Sequence, residues 1–226
     1  MSVIKIVRET DRSKLLLWGV MFLMSLSVIF YSEIAFLSPS NPVRPHHYAI
    51  RWWLIPHLLC GITAMLTGPF QFSTRLRQRN PVVHHTIGKV YVIAVLIGAS
   101  FAFYMDLTVE DHATWQIAAG PVLHSLTWFF TALIAYRTAI TRSFQIHRQW
   151  MIRSYLITFT FMLVRFPNPI RAWRDMSDLS FSMVLVLLMF LCYFGADVAL
   201  NLKEITTKRT AGLKSPKPAP RAIFTA

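Results

Sequence analysis

The sequence predicts an all-α, polytopic membrane protein with six transmembrane helices, of which the second to fifth form a four-helix core. Three observations lead to this fold class: the composition, six long apolar runs, and the alternation of charge between loops. Of 226 residues, 54% are hydrophobic and 15% are charged, and the mean hydropathy is +0.46. Soluble domains have about 25% charged residues, so a lipid bilayer is the expected solvent for most of this chain.

Six runs reach the roughly 20 mostly apolar residues that a helix needs to cross the hydrocarbon core. We place them at Leu15–Leu37, Trp52–Phe72, Pro81–Asp106, Trp115–Tyr136, Phe144–Phe166 and Leu179–Leu202. The first run is too long for a signal-peptide core and no A-x-A cleavage sequence follows it, so we expect it to stay in the mature protein. Asn80 followed by Pro81 marks the start of the third helix. The transmembrane domain then covers residues 15–202, between a basic segment 1–14 and a basic, disordered tail 203–226.

Positive charge is concentrated in alternate loops. The N-terminal segment, the second loop, the fourth loop and the tail are basic, whereas the third loop contains Asp106, Glu110 and Asp111. By the positive-inside rule, both termini then lie in the cytoplasm, and the chain is a multi-pass protein of the cytoplasmic (inner) membrane. Basic cytoplasmic loops also explain the net charge of +13, so the lipid bilayer, and not a nucleic acid, is the expected partner.

Five of the eight histidines lie near the ends of the predicted core helices. His57 on the second helix and His124 on the fourth fall roughly 8 Å and 13 Å below the outer starts of their helices, at 1.5 Å per residue. His84 or His85 on the third helix and His147 on the fifth fall near the inner boundary. The sequence therefore predicts an outer and an inner histidine pair. The remaining three are expected to be surface residues of the outer loops: His46, His47 and His112.

Two histidine pairs on facing helices of one bundle suit two b-type haems with bis-histidine ligation. A glycine on the same helical face as three of the ligands leaves room for a macrocycle: Gly61 beside His57, Gly88 beside His84, and Gly120 beside His124. Arginines offer charge for haem propionates: Arg148 and Arg153 in the inner layer, and Arg165 in the outer layer. Arg153 has further possible partners in a bound anion, a helix C-terminus or Asp197 of the sixth helix.

These residues also have a structural interpretation. Small residues are common wherever membrane helices pack closely. Histidines near an interface can hydrogen-bond to headgroups or to neighbouring helices, and Arg165 can extend its charged end to the outer surface. The haem hypothesis rests on the matched layers and on the helical spacing of the three glycines.

Three motifs resemble those of a bacterial family of membrane proteins, domain of unknown function 2306. They are Gly68-Pro-Phe-Gln-Phe-Ser73, Pro81-x-x-His84-x-x-x-Gly88-Lys-Val-Tyr91 and His147-x-x-Trp150-Met-x-Arg153-Ser-Tyr155. In that family, arginine usually follows the motif histidine and the motif glycine, where this chain has His85 and Lys89. The resemblance assigns the motif histidine to His84. The layout also looks like the six-helix, two-haem cytochrome b-561 proteins, which pass electrons from ascorbate across membranes; the spacings between histidines differ, so neither electron donor nor acceptor is carried over.

Three functions are compatible with these features. The leading hypothesis is a haem-binding transmembrane electron carrier, an oxidoreductase that reduces quinone or a metal ion at one face. The alternatives are a small transporter that uses buried histidine and arginine to bind an anion or carry protons, and a membrane scaffold subunit without a ligand. A soluble-type enzyme is not indicated, because no nucleophile triad, phosphate loop or HExxH motif occurs.

Overall fold

The computed structural model describes residue 16 and residues 19–33, 50–108 and 114–213. Over these ranges the regular secondary structure is helical. The helices, numbered in chain order, are α1 Gly19–Tyr31 with a π-helical end at Ile29–Glu33, α2 Arg51–Gln71, α3 Thr74–Arg79, α4 Pro81–Thr108, α5 Trp115–Ile140, α6 Phe144–Arg165, α7 Arg171–Arg174 and α8 Asp178–Leu213.

Four helices form a ring. α2 packs against α4, α4 against α5, α5 against α6, and α2 also contacts α6. In this order α2 lies diagonally opposite α5, and α4 diagonally opposite α6. α8 packs outside the ring on α5 and α6, and α1 reaches α6 where Ser25 Oγ lies 3.8 Å from Met162 Sδ. The predicted core of the second to fifth helices is therefore present as α2, α4, α5 and α6.

Helix ends in the core follow local sequence signals. Asn80 Oδ1 accepts a hydrogen bond from the Val83 N–H at 3.2 Å, and Pro81 is the first residue of α4, which confirms the predicted helix start. Between α5 and α6, Arg142 has a φ of 57°. This left-handed conformation is usual just after a helix C-terminus, and it lets the chain reverse within residues 141–143.

Within the described residues, four helices are long and apolar enough to cross a membrane: α2, α4, α5 and the part of α8 from Asp178 to Leu202. They correspond to the second, third, fourth and sixth predicted spans. Of the predicted first span the structure has the shorter apolar helix Gly19–Tyr31, and its flanks lie outside the described residues. α6 matches the predicted fifth span in position and length, but its three arginines lower its apolar character. α8 continues as a helix to Leu213, past the predicted start of the tail.

Candidate functional site

His57 and His124 line one cavity. It has a volume of about 100 Å³ and lies between α2, α4, α5 and α6 near the end of the bundle where α2 begins. Trp128, Thr158 and Arg165 also line it. The ring of His57 meets the Trp128 ring edge-on, with 6.2 Å between centroids. The predicted outer pair is therefore brought together, on diagonally opposite helices.

Backbone carbonyls orient three of the four histidine rings. His57 Nδ1 lies 2.9 Å from the Gly98 carbonyl oxygen and His147 Nδ1 lies 2.8 Å from that of Ala135. Because a carbonyl oxygen only accepts, each Nδ1 carries a proton, and in the neutral form of the ring Nε2 then has the lone pair. His124 Nε2 lies 3.3 Å from the Ile157 carbonyl oxygen, a longer and weaker contact.

The predicted inner pair lies on α4 and α6, which are also diagonally opposite in the ring. His84 is buried, whereas His85 next to it is exposed. Burial favours His84 over His85 as the residue inside the bundle, and its role as a ligand stays a prediction.

The two layers are well separated along the bundle. Hydrogen bonds place His57 level with Gly98 on α4, and His124 level with Ile157 on α6. At 1.5 Å per residue, the distance from His84 to Gly98 along α4 is roughly 21 Å, and from His147 to Ile157 along α6 it is roughly 15 Å.

The three glycines have different surroundings. Gly61 lines the outer cavity, and a Cβ added there would have no atom within 4 Å. The space beside Gly61 is therefore open, as the haem hypothesis predicts. Gly88 instead meets the carboxamide of Gln71, whose Oε1 would lie 2.9 Å from an added Cβ. The Gly120 N–H donates to Ser182 Oγ on α8 at 3.1 Å. At Gly88 and Gly120 the small residue serves contact between helices.

The three arginines are also placed differently. Arg165 lines the outer cavity, with its guanidinium 4.8 Å from the Phe161 ring centroid. Arg153 pairs with Asp197 of α8, with its Nε 2.9 Å from the carboxylate Oδ1. Of the partners considered for Arg153, the structure therefore shows Asp197. Arg148 is exposed.

A cluster of buried hydroxyl groups lies between the two histidine layers. The Tyr91 hydroxyl is 2.9 Å from Ser154 Oγ and 3.2 Å from Thr158 Oγ1. The Trp128 Nε1–H donates to Thr158 Oγ1 at 2.8 Å. We call Tyr91, Ser154 and Thr158, together with the indole of Trp128, the hydroxyl cluster. Sequence reasoning did not single it out, although Tyr91 and Ser154 belong to the motifs quoted above.

The three sequence motifs meet at one place in the bundle. Gly68 of the first motif lies against the ring of Tyr155 from the third, and Phe72 meets that ring edge-on at 5.5 Å. Tyr91 of the second motif bonds to Ser154 of the third. The motifs therefore describe how α2, α4 and α6 pack together around the hydroxyl cluster.

Comparison with known proteins gives one match. A family model described as a predicted membrane protein, DUF2306, covers residues 54–200. That range includes the whole four-helix ring except the first turn of α2, and all four paired histidines. Neither a curated protein nor a solved structure matches the chain significantly.

Proposed function

Because this chain belongs to the DUF2306 family of predicted membrane proteins, whose description states no activity, we propose its function from geometry: it is an integral membrane electron carrier with two b-type haems. His57 and His124 ligate one haem, and His84 and His147 the other. The observation that carries the proposal is that His57 and His124 line one cavity of the four-helix ring. His84 and His147 lie on the other two helices of the same ring, nearer its opposite end.

The hydrogen bonds of the histidines support metal ligation. A ligating histidine usually donates its second N–H to a carbonyl or carboxylate, which fixes the ring and its tautomer. His57 and His147 have this arrangement through Gly98 and Ala135. His124 has only the longer contact of 3.3 Å between Nε2 and the Ile157 carbonyl oxygen.

The donor set fits a macrocycle better than a bare ion. No group of three or more His, Cys, Asp or Glu side chains in the described ranges could hold a metal ion. A haem supplies four nitrogen ligands itself and needs only two from the protein. Its contribution here would be one-electron chemistry, while the chain provides ligands, orientation and, through Arg165, charge beside the outer cavity.

The size of the outer cavity sets a condition on this proposal. About 100 Å³ is less than the roughly 300–1,000 Å³ of pockets that enclose cofactors. A macrocycle at this position requires α2 and α5 to lie further apart than in this structure.

The charge pattern of the loops supports six spans with both termini in the cytoplasm, so that the two layers lie near opposite faces of the cytoplasmic membrane.

The absorption spectrum tests the proposal. We expect reduced-minus-oxidised spectra of the purified chain to show b-type bands, and each of His57→Ala, His124→Ala and His147→Ala to lose about half of the haem. The matched control is His85→Ala, an exposed histidine adjacent to a proposed ligand, which should keep both haems. A well-expressed protein without these bands would contradict the proposal, as would full haem content in the three ligand variants.

The hydroxyl cluster favours a second candidate, proton-coupled transport. Thr158 belongs to both the outer cavity and the cluster, and Tyr91 can donate to or accept from Ser154. Buried chains of this kind are one means of moving protons through membrane proteins. In proteoliposomes with an internal pH dye, this function predicts proton flux that Tyr91→Phe reduces at least tenfold. Flux equal to that of protein-free vesicles would leave the electron carrier as the better candidate.

A further inference from the structure

Two buried polar atoms lie close to the end of α2 and the start of α4. Gln71 Nε2 and His84 Nδ1 have no hydrogen-bond partner in the described part of the chain. Gln71 is 8% exposed and His84 is 9% exposed. Buried polar side chains are nearly always hydrogen-bonded, so a partner outside the described residues is expected here.

Gly88 shows that the two residues share one region. The Gln71 carboxamide lies on Gly88, where an added Cβ would be 2.9 Å from Oε1 and 3.7 Å from Nε2. His84 precedes Gly88 by one turn on the same face of α4, a separation of roughly 5–6 Å. One small molecule can therefore reach both unpartnered atoms.

His84 differs from the other three core histidines in this respect. His57, His124 and His147 each contact a backbone carbonyl oxygen, and His84 Nδ1 contacts none. An amide N–H and an imidazole N–H can both donate to one oxygen atom. When Nδ1 carries the ring proton, an acceptor oxygen satisfies both atoms.

The surroundings indicate that this oxygen is anionic. The short helix α3, which packs against α4, has Arg77 and Arg79 in its last turn. His84 also lies in the first turn of α4, a helix of 28 residues, whose N-terminal dipole favours negative charge.

We propose that Gln71 and His84 bind a phosphate group, with Arg77 contributing positive charge. The phosphate belongs to a membrane lipid headgroup or to free phosphate, which present the same oxygens. This site is additional to electron transfer and does not depend on bound haem. If His84 ligates iron through Nε2, its Nδ1–H can still donate to the phosphate. The phosphate oxygen would then accept the hydrogen bond that the Gly98 carbonyl oxygen accepts from His57.

Thermal unfolding of the full chain in neutral detergent tests the site. One arm adds phosphatidylglycerol and the other adds inorganic phosphate, each against chloride at equal ionic strength. We expect one arm to raise the Tm of the unsubstituted protein in a saturable way, and Gln71→Leu to weaken that response at least tenfold. Arg79→Ala is the matched control, since it removes an exposed positive charge near α4 and leaves both buried donors; its response should be retained.

Each outcome decides the proposal. A response to phosphatidylglycerol alone identifies the lipid as the source, and a response to inorganic phosphate alone identifies the free anion. If neither compound raises the Tm, water alone fills the site and the proposal is overturned. An unchanged response in Gln71→Leu also overturns it. If Gln71→Leu fails to fold, Gln71→Glu keeps the side-chain shape and must also lose the response, because its carboxylate repels phosphate. The readout is anion-dependent stability, so a missing haem spectrum does not affect it.

Discussion

At the scale of single residues, glycines determine how closely the helices of this bundle approach. Gly68 on α2 lies directly against the Tyr155 ring of α6, and Gly88 on α4 lies against the Gln71 carboxamide of α2. Such close approach is what small residues provide in membrane helix interfaces. It follows that a methyl group at these positions must displace a neighbour that is itself packed.

Gly68→Ala is therefore expected to destabilise the protein by about 1–3 kcal/mol, the usual cost of overpacking a filled core. Unfolding of the purified protein in mixed detergent micelles measures this effect. Gly195→Ala on α8 is the control, because an added Cβ there meets no atom within 4 Å; its stability should change by less than about 1 kcal/mol. Equal stability of both variants would show that Tyr155 moves away at no cost.

Residue spacing predicted part of the site. The second and fourth predicted helices run in the same direction, so their lengths place His57 and His124 at similar depths, and both residues line one cavity. The neighbours of Gly88 and Gly120 could not be predicted, since spacing shows which side of a helix a residue occupies and not which side chain lies opposite. For the same reason, spacing could not identify Ser154 as the hydrogen-bond partner of Tyr91, since Ser154 lies on a helix far away in sequence.

At the scale of elements, an ion pair joins α8 to the four-helix ring. Arg153 on α6 is 15% exposed and pairs with Asp197 on α8, which is 38% exposed. The guanidinium also lies 5.1 Å from the Trp150 ring centroid and 5.8 Å from that of Tyr193. An arginine that is mostly enclosed and contacts both helices contributes more than a surface pair.

Asp197→Ala should lower the free energy of unfolding by about 1–3 kcal/mol, because it leaves the enclosed Arg153 without its anion. Asp175→Ala breaks the exposed pair with Arg171, whose side chains are 87% and 55% exposed, and should cost less than about 1 kcal/mol. Denaturant titration followed by tryptophan fluorescence compares the two. A smaller loss for Asp197→Ala than for Asp175→Ala would contradict this account of how α8 is held.

At the scale of the whole molecule, the apolar helices α2, α4 and α5 begin and end close to the sequence-based boundaries. Their long runs leave few alternatives, and Pro81 fixes one of the ends. The full number of six spans stays a prediction. Hydropathy identifies four candidate spans in the described residues, since α1 has a short apolar part there and α6 contains Arg148, Arg153 and Arg165.

The proposed topology has both ends of the chain on the cytoplasmic side. We expect a fluorescent reporter that folds only in the cytoplasm to be active when fused after residue 226, and a periplasmic phosphatase reporter to be active when fused within the loop near residue 112. The reverse pattern at either site would contradict six spans in this orientation and would place the histidine layers at other depths.

The low apolar content of α6 has a consequence for biogenesis. A central arginine costs roughly 2.5–3.5 kcal/mol when a helix enters the bilayer alone, and Arg153 of α6 gains its anion only once Asp197 of α8 has been synthesised. The tight reversal at Arg142 couples α6 directly to the apolar α5. Insertion of α6 is thus tied to the synthesis of α8, and chains truncated before α8 should be retained by the insertion machinery or degraded by membrane proteases.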